Sequence, residues 1–422
     1  MCNAIRNAGG LVALIVALAL TVGTAHATTG YFSHGCGVDY KGMAGAGSAL
    51  ALNSFAGAHN PAALSFLGQR YDVDVALFSP RRSYTVTNNP SGMQGTFGLA
   101  PGTFDSENEG FFIPSLAGNW RLREGLTLGV AVYGNGGMNT QWPTNTFGGT
   151  SPVGVDLSQA FLAPSLSWRV NDMHGIGVTP IFAFQWFEAT GLEAFGGFSG
   201  DAPNLTNNGY DQSYGGGVRV GYLGQFTSVF SLGASFQSRM WMTEFDEYAG
   251  LFAESGGFDI PPTWVVGLGV QPNNNLRLAF DVSQILYEEV AAVSNSMLPG
   301  LQTNMLGSES GAGFGWQNIY VFKGGAEYDL NRKWTVRGGY SYNDQPIPDT
   351  EVMFNILAPG VQQHHITGGT SFLLNDHNEI GLAVMYSPSS TVTGTNPLEV
   401  PDQQTIELEM SQWEVALGFT YR

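Results

Sequence analysis

WEVALGFTY (413–421) places a large apolar residue at every second position: Trp413, Val415, Leu417, Phe419 and Tyr421. Between them stand Glu414, Ala416, Gly418 and Thr420. Side chains of a β-strand point alternately to opposite faces. The stretch therefore reads as a strand with one uniformly apolar face and one face that is small, polar or charged.

The same pattern recurs from about Tyr71 onward. Trp334, Val336, Gly338, Tyr340 and Tyr342 alternate with Thr335, Arg337, Gly339 and Ser341, and Leu126, Leu128, Val130 and Val132 alternate with Thr127, Gly129, Ala131 and Tyr133. About fourteen such runs can be counted. They start near Tyr71, Gly110, Leu126, Asp156, Gly175, Ser213, Ser228, Pro262, Leu276, Asn318, Lys333, Gln362, Asn378 and Thr405. Long connections (87–109, 140–155, 191–212, 247–261, 291–317, 344–361, 387–405) alternate with short ones rich in Asn, Asp and Gly, as tight turns require. Every long loop therefore emerges at one end.

That asymmetry predicts an all-β, 14-stranded antiparallel transmembrane β-barrel of the bacterial outer membrane. Backbone polar groups in lipid must pair within the protein, so the sheet has to close. A large soluble β-protein would need more surface charge and a repeat period, and neither is present. Charged residues are 12% of the chain, against about 25% in ordinary soluble domains. The formal charge of −18 speaks against nucleic acid, whose phosphates demand Lys and Arg. Acids gather in the long loops, among them Asp105, Glu107, Glu254, Asp259, Glu351 and Asp402. They read as solvated loops, with outer-membrane lipid and lipopolysaccharide as the surrounding partners and a monomer expected because closure removes the sheet edge.

Residues 1–27 read as a signal peptide, with Arg6 before the apolar run LVALIVALAL (11–20) and the cleavage triplet Ala25-His26-Ala27. Cys2 would leave with it, so Cys36 has no intrachain disulfide partner. No cofactor is called for, and no enzyme is expected. No G-x-S-x-G or phosphate loop is present, and the glycines Gly42, Gly45 and Gly47 do not follow a strand. His364 and His365 are neighbours on opposite strand faces, so no metal site is expected there.

Residues 28–70 do not alternate. They are rich in Gly and Ala and carry Asn60-Pro61-Ala62. A fourteen-strand barrel is wider than side chains alone can fill, so this segment is expected to be a plug in the lumen, with 71–422 as the barrel. The glycines, Gly45 and Gly47 among them, would let its backbone lie close to the wall.

Gly30-Tyr31-Phe32, then KGMAGAG (41–47), then Asn60-Pro61-Ala62, in this order, resembles the N-terminal hatch of the FadL-type long-chain fatty acid and hydrocarbon transporters. The resemblance continues through PSLAGNW (114–120), LGVAVYGNGG (128–137), IPPTW (260–264), KWTVRGGYSYNDQPIPD (333–349) and the last strand. It implies that the third strand kinks inward and leaves a side opening through which hydrophobic cargo passes into the membrane. The residues offer a place for it: the third run degenerates into Gly134-Asn135-Gly136-Gly137, and Gly in a strand permits a bulge and fills no gap. Two features depart from the family: the chain ends Tyr421-Arg422 rather than on Phe, and the fifth strand (175–190) lacks a basic residue. Pro180 inside that strand predicts a bulge.

By parity, Arg219, Arg277, Lys323 and Arg337 face inward, and Arg239 shares the inner parity of the seventh strand with Trp241. Arg219, Arg337, Lys323 and Arg239 are the candidates to hold a carboxylate; pairing with Asp281, Glu327 or Asp39 is the competing use. Phe161, Ile181, Phe187, Leu223 and Met385 are the candidates for an apolar pocket. The expected function is outer-membrane transport of hydrophobic small molecules, foremost long-chain fatty acids, with a general diffusion porin, an aromatic-hydrocarbon channel and an outer-membrane lipase as the competing readings.

Overall fold

The alternation becomes a closed wall. The computed structural model describes residues 29–298 and 300–422; the expected signal peptide lies outside them. Its strands are β1 (Arg70–Thr87), β2 (Gly102–Asp105), β3 (Phe111–Arg123), β4 (Leu126–Gln141), β5 (Gly154–Arg169), β6 (His174–Thr190), β7 (Asp211–Gln225), β8 (Phe230–Gln237), β9 (Trp241–Met242), β10 (Thr263–Asn273), β11 (Leu276–Ile285), β12 (Ile319–Asp329), β13 (Trp334–Asn343), β14 (His364–Leu373), β15 (Asn378–Thr395) and β16 (Thr405–Tyr421). Among the described residues fourteen of these pair antiparallel in chain order, and β1 closes on β16. The short β2 and β9 pair with the outer parts of β1 and β7. Each wall strand begins within two residues of its expected start.

The face that the pattern assigns to lipid is the exposed one: Val73, Phe112, Phe182, Phe280, Ile366 and Leu417 all stand out from the wall. A ring of aromatics marks the end of the wall near the short turns, where Trp120 Nε1 donates to the Tyr71 hydroxyl (2.8 Å) and Tyr71 lies opposite Tyr421. Amphipathic rings favour that interface.

Three local expectations are corrected. Pro180 produces no bulge. It lies opposite Pro164, and neither can donate an N–H. The β5–β6 ladder lapses after Leu162↔Phe182 and resumes at Leu166↔Val178 in the same register. Ser165 and Thr179 bridge the lapse through their hydroxyls (2.7 Å). Second, Trp241 does not share the inner face. The chain leaves the wall after Gln237, so parity is lost, and Trp241 is 65% exposed. Third, the connection expected over 387–405 is shorter, because β15 continues to Thr395 past a bulge between Ser387 and Ser390, beside Pro388.

Residues 29–69 pack against the inner wall, where most are buried. Two short helices (Val38–Gly42 and Ala56–His59) and a 3₁₀ turn (Pro61–Phe66) order them. The wall's sparse inward charges face these residues. Glu414, the one charge in WEVALGFTY, pairs with Lys41 (2.6 Å). Asp281 accepts from the backbone N–H of Gly47 (2.9 Å) and Ser48 (3.0 Å) and from the Ser48 hydroxyl (2.9 Å). Asp39 meets Arg337 at 2.9 Å and Arg70 at 3.7 Å.

Candidate functional site

Asn60-Pro61-Ala62 acts as a bolt. Pro61 holds Asn60 extended (φ −144°, ψ 104°). Asn60 Oδ1 then accepts from the Ala62 N–H (3.1 Å) and caps the 3₁₀ turn, while Nδ2 donates to the Ser48 and Tyr222 carbonyls, both at 2.8 Å. One side chain thus ties the segment to itself and to β7. Gly45 adopts φ +74° in the turn that follows the first helix, and its N–H donates to the Tyr40 carbonyl (2.8 Å).

Gly134-Asn135-Gly136-Gly137 lies in β4, which bulges between Gly134 and Gly136 against β5. On its other side, β4 pairs with β3 only from Leu126 to Val132; the last partners are Leu116 and Val132. β3 itself stays paired with β1 out to Phe111. Above Leu116 the wall is therefore open between the edge of β3 (111–115) and β4. What β4 pairs with instead is the N-terminal segment: the Ser33 N–H donates to the Asn135 carbonyl (2.7 Å) and the Gly137 N–H to the Tyr31 carbonyl (3.0 Å). A Cβ on Gly136 would collide with that Tyr31 carbonyl, so glycine is what lets the two backbones meet. Ser106 and Glu107 bond Gln141 and close the breach at its outer end.

A cavity of about 130 Å³ lies beside the breach, lined by Phe32, His34, Tyr133, Asn135, Arg219 and Lys323 among others. Arg219 donates to the Ala58 carbonyl, Gln237 Oε1 and the Tyr133 hydroxyl, and Lys323 to the His34 carbonyl (3.1 Å). Neither forms an ion pair among the described residues. The other two basic candidates are committed. Arg337 is held by Asp39 and by Glu327 (2.5 Å), and Arg239 by Asp259 (2.6 Å) and the Glu289 carbonyl (2.6 Å). Burial, with Lys323 nearby, pushes His59 down to about 3. Burial beside Lys41 holds His34 well below the usual histidine value. Both are therefore neutral in this cationic surrounding.

A second cavity, about 40 Å³ and almost wholly apolar, lies among the outer loops, where Phe187, Leu192, Phe195, Phe252, Leu306 and Phe354 line it. A run of tilted ring contacts connects the two cavities. Phe252 packs on Phe258 (4.9 Å between centroids), Phe258 on Tyr31 (6.1 Å) and Tyr31 on Phe32 (5.1 Å). Tyr287, packed on Tyr31 (5.4 Å), holds this run in place by donating to the Thr29 carbonyl (2.6 Å). Of the apolar candidates, Phe187 lines the outer cavity. Phe161 packs on Tyr133 (5.5 Å), and Ile181, Leu223 and Met385 are buried in the core without lining either cavity. Tyr133, Gln237 and the Tyr31–Tyr287 pair were not singled out from the sequence. Inward parity could have found Tyr133 and Gln237; the loop contacts leave no periodic signal.

Comparison with known proteins agrees with this architecture. The model of the outer membrane protein transport family (OMPP1/FadL/TodX) matches residues 21–422. The Pseudomonas putida toluene transporter TodX superposes with a TM-score of 0.67 at 16% identity, covering 92% of this chain and 99% of that one. A Pseudomonas aeruginosa FadL homologue gives 0.69 at 16% identity over 93% and 99%. The Ralstonia pickettii toluene transporter TbuX gives 0.63 at 18% over 92% and 98%. No curated protein matches the sequence. At such identities the structural likeness speaks for the fold, and the family rests on the sequence model. The chain belongs to the OMPP1/FadL/TodX family of outer-membrane transport proteins.

Proposed function

We propose that this outer-membrane transporter of hydrophobic molecules takes up long-chain fatty acids and delivers them sideways into the membrane. The observation that carries the reading is the breach between β3 and β4 with a cavity at its inner mouth. Cargo would collect in the apolar cavity of the outer loops and pass when the Tyr31 and Phe32 rings shift. It would present its carboxylate to Arg219 and Lys323, the cations of the inner cavity that form no ion pair among the described residues, and leave between β3 and β4. The residues 29–69 serve as the hatch in this scheme, and Gly134 to Gly137 as the lateral opening.

Energetics favour the sideways route. A sixteen-carbon chain gains roughly 12 kcal/mol on entering hydrocarbon, at about 0.8 kcal/mol per methylene. Passage from apolar cavity to bilayer keeps most of that, whereas a watery pore would forfeit it. Size sets the other condition. A dry cavity of about 150 Å³ accommodates benzene, so the inner cavity as it stands admits a headgroup and a few methylenes. A full acyl chain needs the hatch to move.

That same size supports a second reading. A monoaromatic molecule demands far less rearrangement than an acyl chain, and TodX and TbuX are toluene transporters. The double variant Arg219→Met/Lys323→Met distinguishes the two. For fatty acid cargo, saturable oleate binding to the detergent-solubilised protein weakens at least tenfold, since charge-assisted hydrogen bonds contribute about 1.5–3 kcal/mol each. Tight toluene binding with no saturable oleate binding in the wild type would instead favour the aromatic reading.

A further inference from the structure

Arg81 and Arg82 are neighbours on β1 that face opposite ways. Arg81 is on the outside and pairs with Glu109 (2.5 Å). Arg82 is turned inward, 4% exposed, and forms no ion pair among the described residues. Its Nη1 donates to the Asn108 carbonyl (3.2 Å), and its guanidinium lies 5.9 Å from the centre of the Phe111 ring. Its Nη2 is buried without any hydrogen-bond partner. The acid opposite Asn139 on β5 is Asp156, which accepts from the Tyr210 hydroxyl (2.8 Å) and Ser158 (3.3 Å) rather than from Arg82. A buried charged donor left unpaired costs a protein several kcal/mol, and a guanidinium NH2 group with no acceptor points to a missing anion.

The position gives that anion an identity. Arg82 lines a small cavity of about 10 Å³ at the outer end of the breach, between Met138, Asn139 and Thr140 of β4 and a loop cover of Trp316 and Ala358 to Gly360 that must shift to admit more than a water. Asn108, which takes its Nη1, also bonds Asn139 across that end (2.7 Å). Below Arg82 lie Phe111 and Ile113 of the unpaired β3 edge, both turned inward. Arg82 belongs to the outer third of β1. At about 3.3 Å per residue and a tilt of about 40° the strand has by then climbed roughly 30 Å, the thickness of the hydrocarbon. An amphiphile leaving sideways into the outer leaflet keeps its charged head at that height and its tail below.

We propose that Arg82 is a specificity-determining residue of the exit step: its Nη2 takes the carboxylate of the departing cargo at the outer rim of the breach while the acyl chain slips past Phe111 into the bilayer. The inference rests on the lateral route and makes the exit selective for amphiphilic acids over neutral hydrophobes. Arg219 and Lys323 act earlier, in the inner cavity.

The test measures uptake of radiolabelled oleate and of methyl oleate by cells lacking their own transporter, at matched surface levels of wild type, Arg82→Met and Arg82→Lys. Arg82→Met is expected to lower the oleate-to-methyl-oleate rate ratio about tenfold, with Arg82→Lys recovering part of it and oleate binding to the detergent-solubilised protein unchanged. A merely structural role would lower both rates together and leave the ratio intact. An unchanged ratio in both variants, with the wild type moving both compounds, overturns the role of Arg82 and leaves the transport reading standing. A wild type that moves neither compound overturns both.

Discussion

Where β1 meets β16 the ladder runs unbroken from Tyr71↔Tyr421 to Thr87↔Thr405; where β3 meets β4 it stops at Leu116↔Val132. Both seams join antiparallel neighbours in one wall. They differ in sequence. The closing seam holds a single glycine, Gly418, among its paired residues, whereas β4 runs into Gly134-Asn135-Gly136-Gly137 and turns its backbone to Tyr31 and Ser33. A membrane sheet can open only where its backbone groups find another partner. Here that partner is the N-terminal segment, so the segment and the breach are joined through one set of backbone hydrogen bonds.

The largest expected effect removes that partner. Deleting 29–67 should leave a closed barrel with an unfilled bore, and liposomes containing it should swell rapidly in sugars while those with the intact protein do not. A deleted barrel as tight as the parent would break the link between segment and lumen. Next, Gly136→Ala places a Cβ against the Tyr31 carbonyl, whereas Gly338→Ala meets nothing within 4 Å. Overpacking of this kind costs about 1–3 kcal/mol. The Gly136 variant should speed hydrogen exchange at Ser33 and Gly137 roughly tenfold or more, with the Gly338 variant unchanged there.

The smallest effect is acid release of the segment. His34 and His59 are neutral when docked, their values depressed by burial. His59 is partly accessible, but to the internal cavity that it lines rather than to bulk water. In a hydrated, released segment both titrate near 6.5. Docking is therefore at full strength above about pH 6.5 and weakens as pH falls, by up to about 2 kcal/mol for His59 at pH 5, with His34 acting in the same direction. For His59 the loss levels off below about 3. Limited proteolysis of 29–69 should accelerate from pH 7 to pH 5 and no longer do so in His34→Gln/His59→Gln.

The wall was legible because period two is a strong signal: all fourteen starts fall within two residues of the structure. Legibility ended where the chain left that period. After Gln237 the wall gives way to loop, so parity misplaced Trp241. Pro180 was visible, but the facing Pro164 that keeps the register unshifted requires knowing the pairing. Parity placed Arg219, Lys323 and Arg337 alike; only three-dimensional neighbours distinguish the one held by Asp39 and Glu327 from the two without an acid. Arg82 could have been read by the same parity from β1. The outer apolar cavity could not, because loops gather its phenylalanines without any spacing rule.

The lateral route is tested most directly by stitching the breach. Ser115 and Tyr133 would be the next partners above Leu116↔Val132, and Ala76 and Ala416 are partners in the intact seam. Oxidising Ser115→Cys/Tyr133→Cys should cut oleate uptake by intact cells at least tenfold, with reduction restoring it, while oxidising Ala76→Cys/Ala416→Cys should change nothing. Uptake that continues undiminished through a barrel shown to be cross-linked at 115 and 133 would contradict the route.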